Sequence, residues 1–404
     1  MKPQLIAALI FALTATYWGS VTGGPLEAQT PSGPSSAPAA AAAPPAPLPT
    51  PAMVGPLSTA LPTAFDAGRY FGTLQVTGIL SGIAYVQDNH NSSDHAMYAD
   101  VSNAQVFVQK TSGVLQFYIQ GGAYNIPALG TPFLSTGDTT TNFFGVLPQG
   151  YIKIAPRGSF SFLAGKLPTL VGAEDTFTFE NMNIERGLLW NQENAVNRGV
   201  QGNYSKGKIA GSLTWSDGFY SNRYNWISGM VTYAQSAANS LEFAAGGNAG
   251  KTGYSSVATP LYQNNSSIYN VIYTHTTRKW MLEPYIQLTY VPRNQQISVG
   301  HTTSTLGGAV LGTYTASPHV SLGARGEYIA STGSNRVGAV NLLYGTGSDA
   351  LSATLTPTFQ DKGFFARAEF SVVDALHTAA GAAFGSKGND TSQVRGVLEA
   401  GFMF

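Results

Sequence analysis

Between residues 169 and 197 the chain gathers Glu174, Asp175, Glu180, Glu185 and Glu193 around one internal cation, Arg186, with Arg198 just beyond. Five of the chain's 21 acidic residues fall in this one short segment. Grouped carboxylates of this kind act on a small ion passing close by, where few waters screen them. On an outward surface loop the same acids would simply be solvated. The rest of the chain offers no covalent chemistry to set beside them. It has no GxSxG elbow, HExxH, Walker loop or dinucleotide fingerprint. The six histidines lack a metal-binding spacing. His90 and His95 sit in the polar stretch "DNHNSSDH", which reads as a solvated loop, with Asp88 and Asp94 as the only carboxylates there that could meet calcium. Cysteine is absent, which excludes disulfides, thiolate zinc sites, cysteine nucleophiles and a lipoprotein anchor. No enzyme, cofactor or metal site is therefore expected.

The elements that carry these acids must come from an unusual composition. Charged residues make up 10% of the chain, against roughly 25% in an ordinary soluble domain. The hydrophobic fraction is an average 43% and net charge is zero, so nothing points to nucleic acid. The first residues read as a secretory signal: Lys2, the apolar run "LIAALIFALTA", and a cleavage position after Ala28. Residues 29–66 follow as a Pro/Ala-rich linker, extended and without a core of its own. Half of the 22 prolines lie between residues 25 and 62, so this tract is expected to stay out of any pore.

From about residue 67 to 404 the pattern is alternation of apolar and polar residues, broken by turn signals every ten to twenty positions. In "LSATLTPTFQDKGFFARAEFSV", Leu351, Ala353, Leu355, Pro357 and Phe359 face one way while Ser352, Thr354, Thr356 and Thr358 face the other. The polar face is Thr, Ser, Gln and Gly with scattered charges, and the apolar face ends in aromatics. A β-sandwich would bury large aliphatics and show charges outside; an antiparallel transmembrane β-barrel shows the reverse. Strand candidates lie near 70–86, 98–110, 113–122, 149–156, 159–167, 199–206, 208–216, 226–235, 240–247, 267–277, 279–291, 303–315, 319–330, 336–345, 350–359, 364–373, 376–385 and 394–404. That is eighteen strands, or sixteen if one hairpin is miscounted. Counting back from the C-terminus puts Trp215, Trp226, Phe359 and Phe364 at outer loops, and Trp280, Tyr344, Phe402 and Phe404 at the periplasmic rim. On this parity Glu283, Gln287, Arg367, Glu369, Arg395 and Glu399 face the lumen.

The last strand, "VRGVLEAGFMF", ends on a bare phenylalanine and resembles the C-terminal assembly signal of bacterial outer-membrane barrels, with Leu398, Phe402 and Phe404 as its apolar positions. A second likeness lies in the stretch from Ala164 to Trp215. Gly165, Lys166 and Pro168 lead into a long acidic loop, and Arg198, Gly199 and Val200 return to the barrel. This resembles the OmpL-like β-barrel porins and, more distantly, the phosphate-selective porins. The basic ladder of phosphate selectivity is missing, so the resemblance implies a porin and not its phosphate preference. It also implies that the loop folds into the lumen and narrows it, making Glu174, Asp175, Glu180, Glu185, Arg186, Glu193 and Arg198 constriction candidates with a weak cation preference. Expected partners are outer-membrane lipid, the barrel-insertion machinery acting on the C-terminal strand, small hydrophilic solutes and further copies of the chain. The expected function is passive diffusion through a water-filled channel in the bacterial outer membrane. A substrate-specific channel, a secreted β-rich adhesin and an enzyme embedded in the barrel are the alternatives.

Overall fold

The computed structural model describes residues 55–58, 63–331 and 338–404. The expected signal peptide and most of the linker lie outside these residues. Alternation becomes strand along a little over half of the described residues. The barrel strands are β2 (Thr73–Gln87), β3 (Met97–Lys110), β4 (Leu115–Tyr124), β5 (Gln149–Ile154), β6 (Phe160–Pro168), β7 (Val196–Lys206), β8 (Ile209–Ser216) and β9 (Trp226–Ala234). They continue as β10 (Asn239–Asn248), β11 (Ser267–Thr276), β12 (Trp280–Val291), β13 (Thr303–Ser317), β14 (Val320–Ser331), β15 (Asp349–Asp361), β16 (Phe364–Leu376) and β17 (Ser392–Met403). Each pairs antiparallel with the next, and β17 closes on β2 from Arg395↔Gln87 to Met403↔Ile79. A short strand β1 (Thr63–Asp66) pairs with the start of β2. Closure satisfies every strand edge, which the hydrocarbon core of a membrane demands. No helix of the described residues is long and apolar enough to cross a membrane.

Sixteen strands form the ring, and two of the expected eighteen are absent from it. Residues 338–345 and 376–385 lie almost entirely in loops, and only the last residue of β16 enters the second range. Their aromatics, Tyr344 and Phe384, pack on each other 5.0 Å apart and join the outer loops instead of the sheet. Losing both strands leaves the side of each earlier strand unchanged but moves several aromatics. All connections at the C-terminal rim are turns of two to five residues, while the opposite rim carries loops of nine to twenty-seven. Short turns belong to the periplasmic side and long loops to the outside. Phe359 and Phe364 therefore sit at the periplasmic rim, not at an outer loop, and the Phe364 ring lies 5.4 Å from that of Phe402. Trp280 holds its expected place there, stacked obliquely on Tyr314. Tyr344 belongs to an outer loop, buried against Phe384. Trp215 faces outward at the outer rim, whereas Trp226 is wholly buried against Phe219.

The outward face is apolar: Leu80, Ile152, Phe162, Leu213, Phe243, Phe370 and Leu398 are all exposed around the ring. Inward positions of the same strands are polar and mostly buried, as in β16, where Arg367, Glu369 and Ser371 alternate with outward Phe370. Phe404 hydrogen-bonds through its own N–H and C=O to Gly78, and its ring covers that glycine on the outer wall. A side chain at residue 78 would collide with the ring, since its Cβ would lie 2.5 Å from Phe404 Cζ.

Candidate functional site: the inward loop and the uncovered strip

The loop between β6 and β7, residues 169–195, folds into the barrel. It leaves β6 where Gly165 holds φ +145° and a Cβ would lie 2.3 Å from the Gly150 carbonyl oxygen, so only glycine fits this step of the wall. It returns where Pro168 pairs with Val196. Inside, the loop winds round Arg186, which is fully buried and donates to the carbonyls of Thr176 at 3.1 Å and Asn183 at 3.3 Å, and also to that of Ile184. Asn181 ties its own turn, donating to Phe177 O at 2.8 Å and accepting from Asp175 N at 2.8 Å. Glu180 accepts from Phe177 N at 3.0 Å, capping a short 3-10 turn, Thr178–Glu180. Phe177 and Phe179 then join an apolar cluster with Phe107, Tyr124 and Phe365 of the wall.

The wall grips this loop through its charges. On β14, Arg325 donates to Glu174 Oε1 at 2.5 Å and to Glu185 O at 2.8 Å. Its neighbour Glu327 accepts the backbone N–H of Leu188 at 3.0 Å and of Leu189 at 3.2 Å. On β16, Arg367 donates to Thr178 O at 2.9 Å and Asn181 O at 3.0 Å, while Glu369 accepts from Ile184 N and Glu185 N. On β17, Glu399 accepts from Thr178 Oγ1 at 2.7 Å, and Arg395 pairs with Glu185 at 2.7 Å and donates to Ala128 O at 3.0 Å. Gln287 of β12 adds a bond to Leu189 O. Charge-assisted hydrogen bonds are the strong ones, and removing one partner of a buried pair strands the other. Each cross-barrel contact therefore holds the loop down.

The structure brings Glu174, Asp175, Glu180, Glu185, Arg186 and Glu193 together inside the barrel, all nearly inaccessible to water except the half-buried Asp175. Glu174, Glu180, Glu185 and Arg186 stitch the loop to itself and to the wall, whereas neither Glu193 oxygen nor Asp175 Oδ2 has a hydrogen-bond partner among the described residues. Arg198 is not among them. It lies on the face of β7 that carries outward Val200, with its guanidinium 3.9 Å from the centre of the Tyr220 ring and 2.8 Å from Asp217. The strand parity near the rim turns it away from the loop. Glu283, Arg367, Glu369, Arg395 and Glu399 do face inward, but the last four are engaged by the loop or by one another, and Glu283 accepts from Thr274. Arg325 and Glu327 were missed as site residues. The alternation of "VSLGARGEY" already places both on the lumen face.

Across the barrel the loop leaves a strip of wall uncovered. Its inward side chains are half-buried and polar: Lys153 on β5, Gln201 and Asn203 on β7, Ser212 on β8, Thr232 on β9 and Glu242 on β10. They form a ladder of amides and hydroxyls, with Gln201 donating to Asn203 at 2.7 Å, Ser212 to Asn203 at 2.7 Å and Thr232 to Glu242 at 2.9 Å. Toward the outer rim the strip ends at an apolar cluster of Val171, Phe219, Trp226, Ala244 and Ile268. Among the outer loops, Asp94 is buried rather than solvated. Burial alone would raise its pKa, but bonds from Gln87 Nε2, His95 N, Phe133 N and Tyr85 Oη outweigh that and hold it below the usual aspartate value. Four donors to one carboxylate leave no role for calcium there. No group of three or more His, Cys, Asp or Glu among the described residues could hold a metal.

Solved structures with the same fold are outer-membrane proteins. The anion-selective porin of Comamonas acidovorans matches with TM-score 0.57 at 11% identity, over 82% of this chain and 99% of that one. OmpT of Vibrio cholerae matches with TM-score 0.55 at 12% identity, over 84% and 100%. The channel DcaP of Acinetobacter baumannii matches with TM-score 0.55 at 9% identity, over 82% and 97%. At such identities the likeness is one of fold. No curated protein matches the sequence. The family described as "Putative beta-barrel porin-2, OmpL-like" matches residues 73–404, the whole ring from β2 to the C-terminus. The chain belongs to this family of OmpL-like β-barrel porins of the bacterial outer membrane.

Proposed function

We propose that small hydrophilic solutes and ions pass by diffusion along the uncovered strip of β5–β10, between that wall and the inward loop. The observation that carries this is the split of the lumen into one side sealed by the loop and one side lined by half-exposed amides and hydroxyls. Such groups hydrate a solute without holding it. Glu174, Glu180 and Glu185 of the loop are held by Arg325, Arg395 and backbone N–H groups, and the Glu193 oxygens and Asp175 Oδ2 are shut away from water, so any cation preference falls to the half-exposed Glu242 of the strip, opposed by Lys153. The reading is of a channel without a catalytic step, and family membership supports it. The solved relatives include a trimer form of OmpT, and assembly of further copies of this chain is part of the proposal. Planar-bilayer recording in asymmetric KCl tests it. Purified, refolded barrel should give stable ohmic conductance, and persistent silence would rule the channel out.

A further inference from the structure

Four residues from the Pro/Ala-rich side of the chain, Gly55–Ser58, lie against the barrel's interior although they precede its first strand. Gly55 N donates to Glu180 O at 2.8 Å, at the deepest turn of the inward loop. Leu57 is 3% exposed and belongs to the same apolar cluster as Phe179 of the loop and Ile79, Phe365 and Met403 of the wall. Ser58 is read like a neighbouring strand by the Gln360 amide: Ser58 N donates to Oε1 at 3.0 Å and Nε2 donates to Ser58 O at 2.8 Å. Gln360 stands at the periplasmic end of β15, so the segment enters from that mouth. The fit is tight at Gly55, where a Cβ would lie 2.4 Å from the Asn181 carbonyl oxygen. A cavity of about 280 Å³ remains beside it, bordered by Thr276, Lys279, Trp280, Thr313 and Thr358.

We propose that Gly55–Ser58 is a built-in stopper of the periplasmic mouth, a peptide ligand supplied in cis that pins the tip of the inward loop and keeps the conduit narrow. This rests on the porin reading. The loop is the connecting rod. Its tip, Thr178–Met182, is held by Gly55 and by Arg367, and its root carries Val171 of the apolar cluster that ends the strip. Withdrawing the stopper removes one of the tip's bonds, leaving it on Arg367 and Glu399, and so loosens the loop from tip to root. The segment continues upstream into the Pro/Ala-rich tract, so anything that binds or pulls that tract acts on the stopper.

The chain has no native cysteine, so an introduced pair is the only thiol pair present. In a Ser58→Cys/Gln360→Cys protein a short bifunctional thiol reagent should bridge the two positions in native membranes. The bridged form should conduct less than the unbridged form of the same protein. Independently, Gly55→Val cannot dock without striking Asn181, yet it touches no barrel strand. It should raise mean conductance over wild type by on the order of twofold. Gly253→Val, in open space in an outer loop, is the control and should match wild type. Equal, non-zero conductance of the bridged, unbridged and Gly55→Val proteins would overturn the stopper and leave the porin intact. Failure of the bridge to form in folded barrel would overturn the docking whatever the barrel conducts. Silence from every form would sink the porin reading and the stopper with it.

Discussion

Along β14, β16 and β17 the inward positions carry Arg325, Glu327, Arg367, Glu369, Arg395 and Glu399, whereas along β7, β8 and β9 they carry Gln201, Asn203, Ser212 and Thr232. Both walls obey the same period-two pattern and both face away from lipid. The first spends its charges on the backbone and acids of a folded loop, and water is driven out. The second has nothing to grip, so it stays half-wet. A lumen-facing charge is therefore no guide to where solute goes. On the proposed route the conduit lies where amides and hydroxyls dominate the wall and the loop is not bound, with Lys153 and Glu242 as its charges.

The comparison can be broken most severely at Arg325. Arg325→Met should leave Glu174 and Glu327 buried without their cation, costing roughly 3–5 kcal/mol. The temperature at which the folded band converts on unboiled gels should fall, while Gln201→Leu on the other wall should barely move it. Equal shifts would mean that the loop is not anchored by these charges. Next in size is the seam where the ring closes. Phe404→Asp puts a charge on an outward ring position over Gly78 and should lower the amount of barrel in the outer membrane several-fold, roughly the effect of 1–2 kcal/mol on abundance. Channels that do insert should conduct as wild type, and normal membrane levels would contradict the assignment.

Selectivity separates the walls more gently. Glu242→Gln should shift the reversal potential in asymmetric KCl toward anions, because Glu242 is half-exposed on the strip. Glu185→Gln removes a charge already held by Arg395 and Ser371 and should leave it in place. The reverse outcome would return ion selection to the loop. The smallest effect concerns Asp94 beside β2, whose carboxyl is held below its ordinary value. Its contribution is present above the unfolded value of about 3.9 and is lost as pH falls through the lower folded value. Exchange of amides near residues 88–96 should therefore rise below about pH 4 in wild type and be raised at all pH in Asp94→Asn. Parallel pH profiles for the two proteins would show that Asp94 does not order the loop.

Sixteen of the strands were legible because membrane barrels write their fold in alternation, and the loop was legible as an acidic gap between two glycine-marked strand ends. Two kinds of feature were not. Residues 338–345 and 376–385 alternate without being strands, because their aromatics, Tyr344 and Phe384, pack on each other in the outer loops, a pairing that no local spacing reveals. The partners of the loop acids were hidden in the same way. Arg325 and Glu327 lie some 140 residues downstream of the Glu185 carbonyl and Leu188 amide they bind, and no local spacing links them. Likewise Leu57, in a tract read as pure linker, gave no sign in sequence that it ends inside the barrel.

The ring is also uneven in height. β5 has six residues and β8 eight, whereas β13 has fifteen and β15 and β16 thirteen each. A tilted strand needs about 9–11 residues to cross the hydrocarbon layer. β5 and β8 fall short of this while β6 and β7 between them, with nine and eleven, meet it, so the apolar belt dips at two places and the lipids there must compress to meet it. Mismatch costs fractions of a kcal/mol per ångström, a penalty that grows with the perimeter of thinned membrane. The lipid thinned over these two strands, against exposed Ile152 on β5 and Leu213 on β8, is therefore the most strained around the ring.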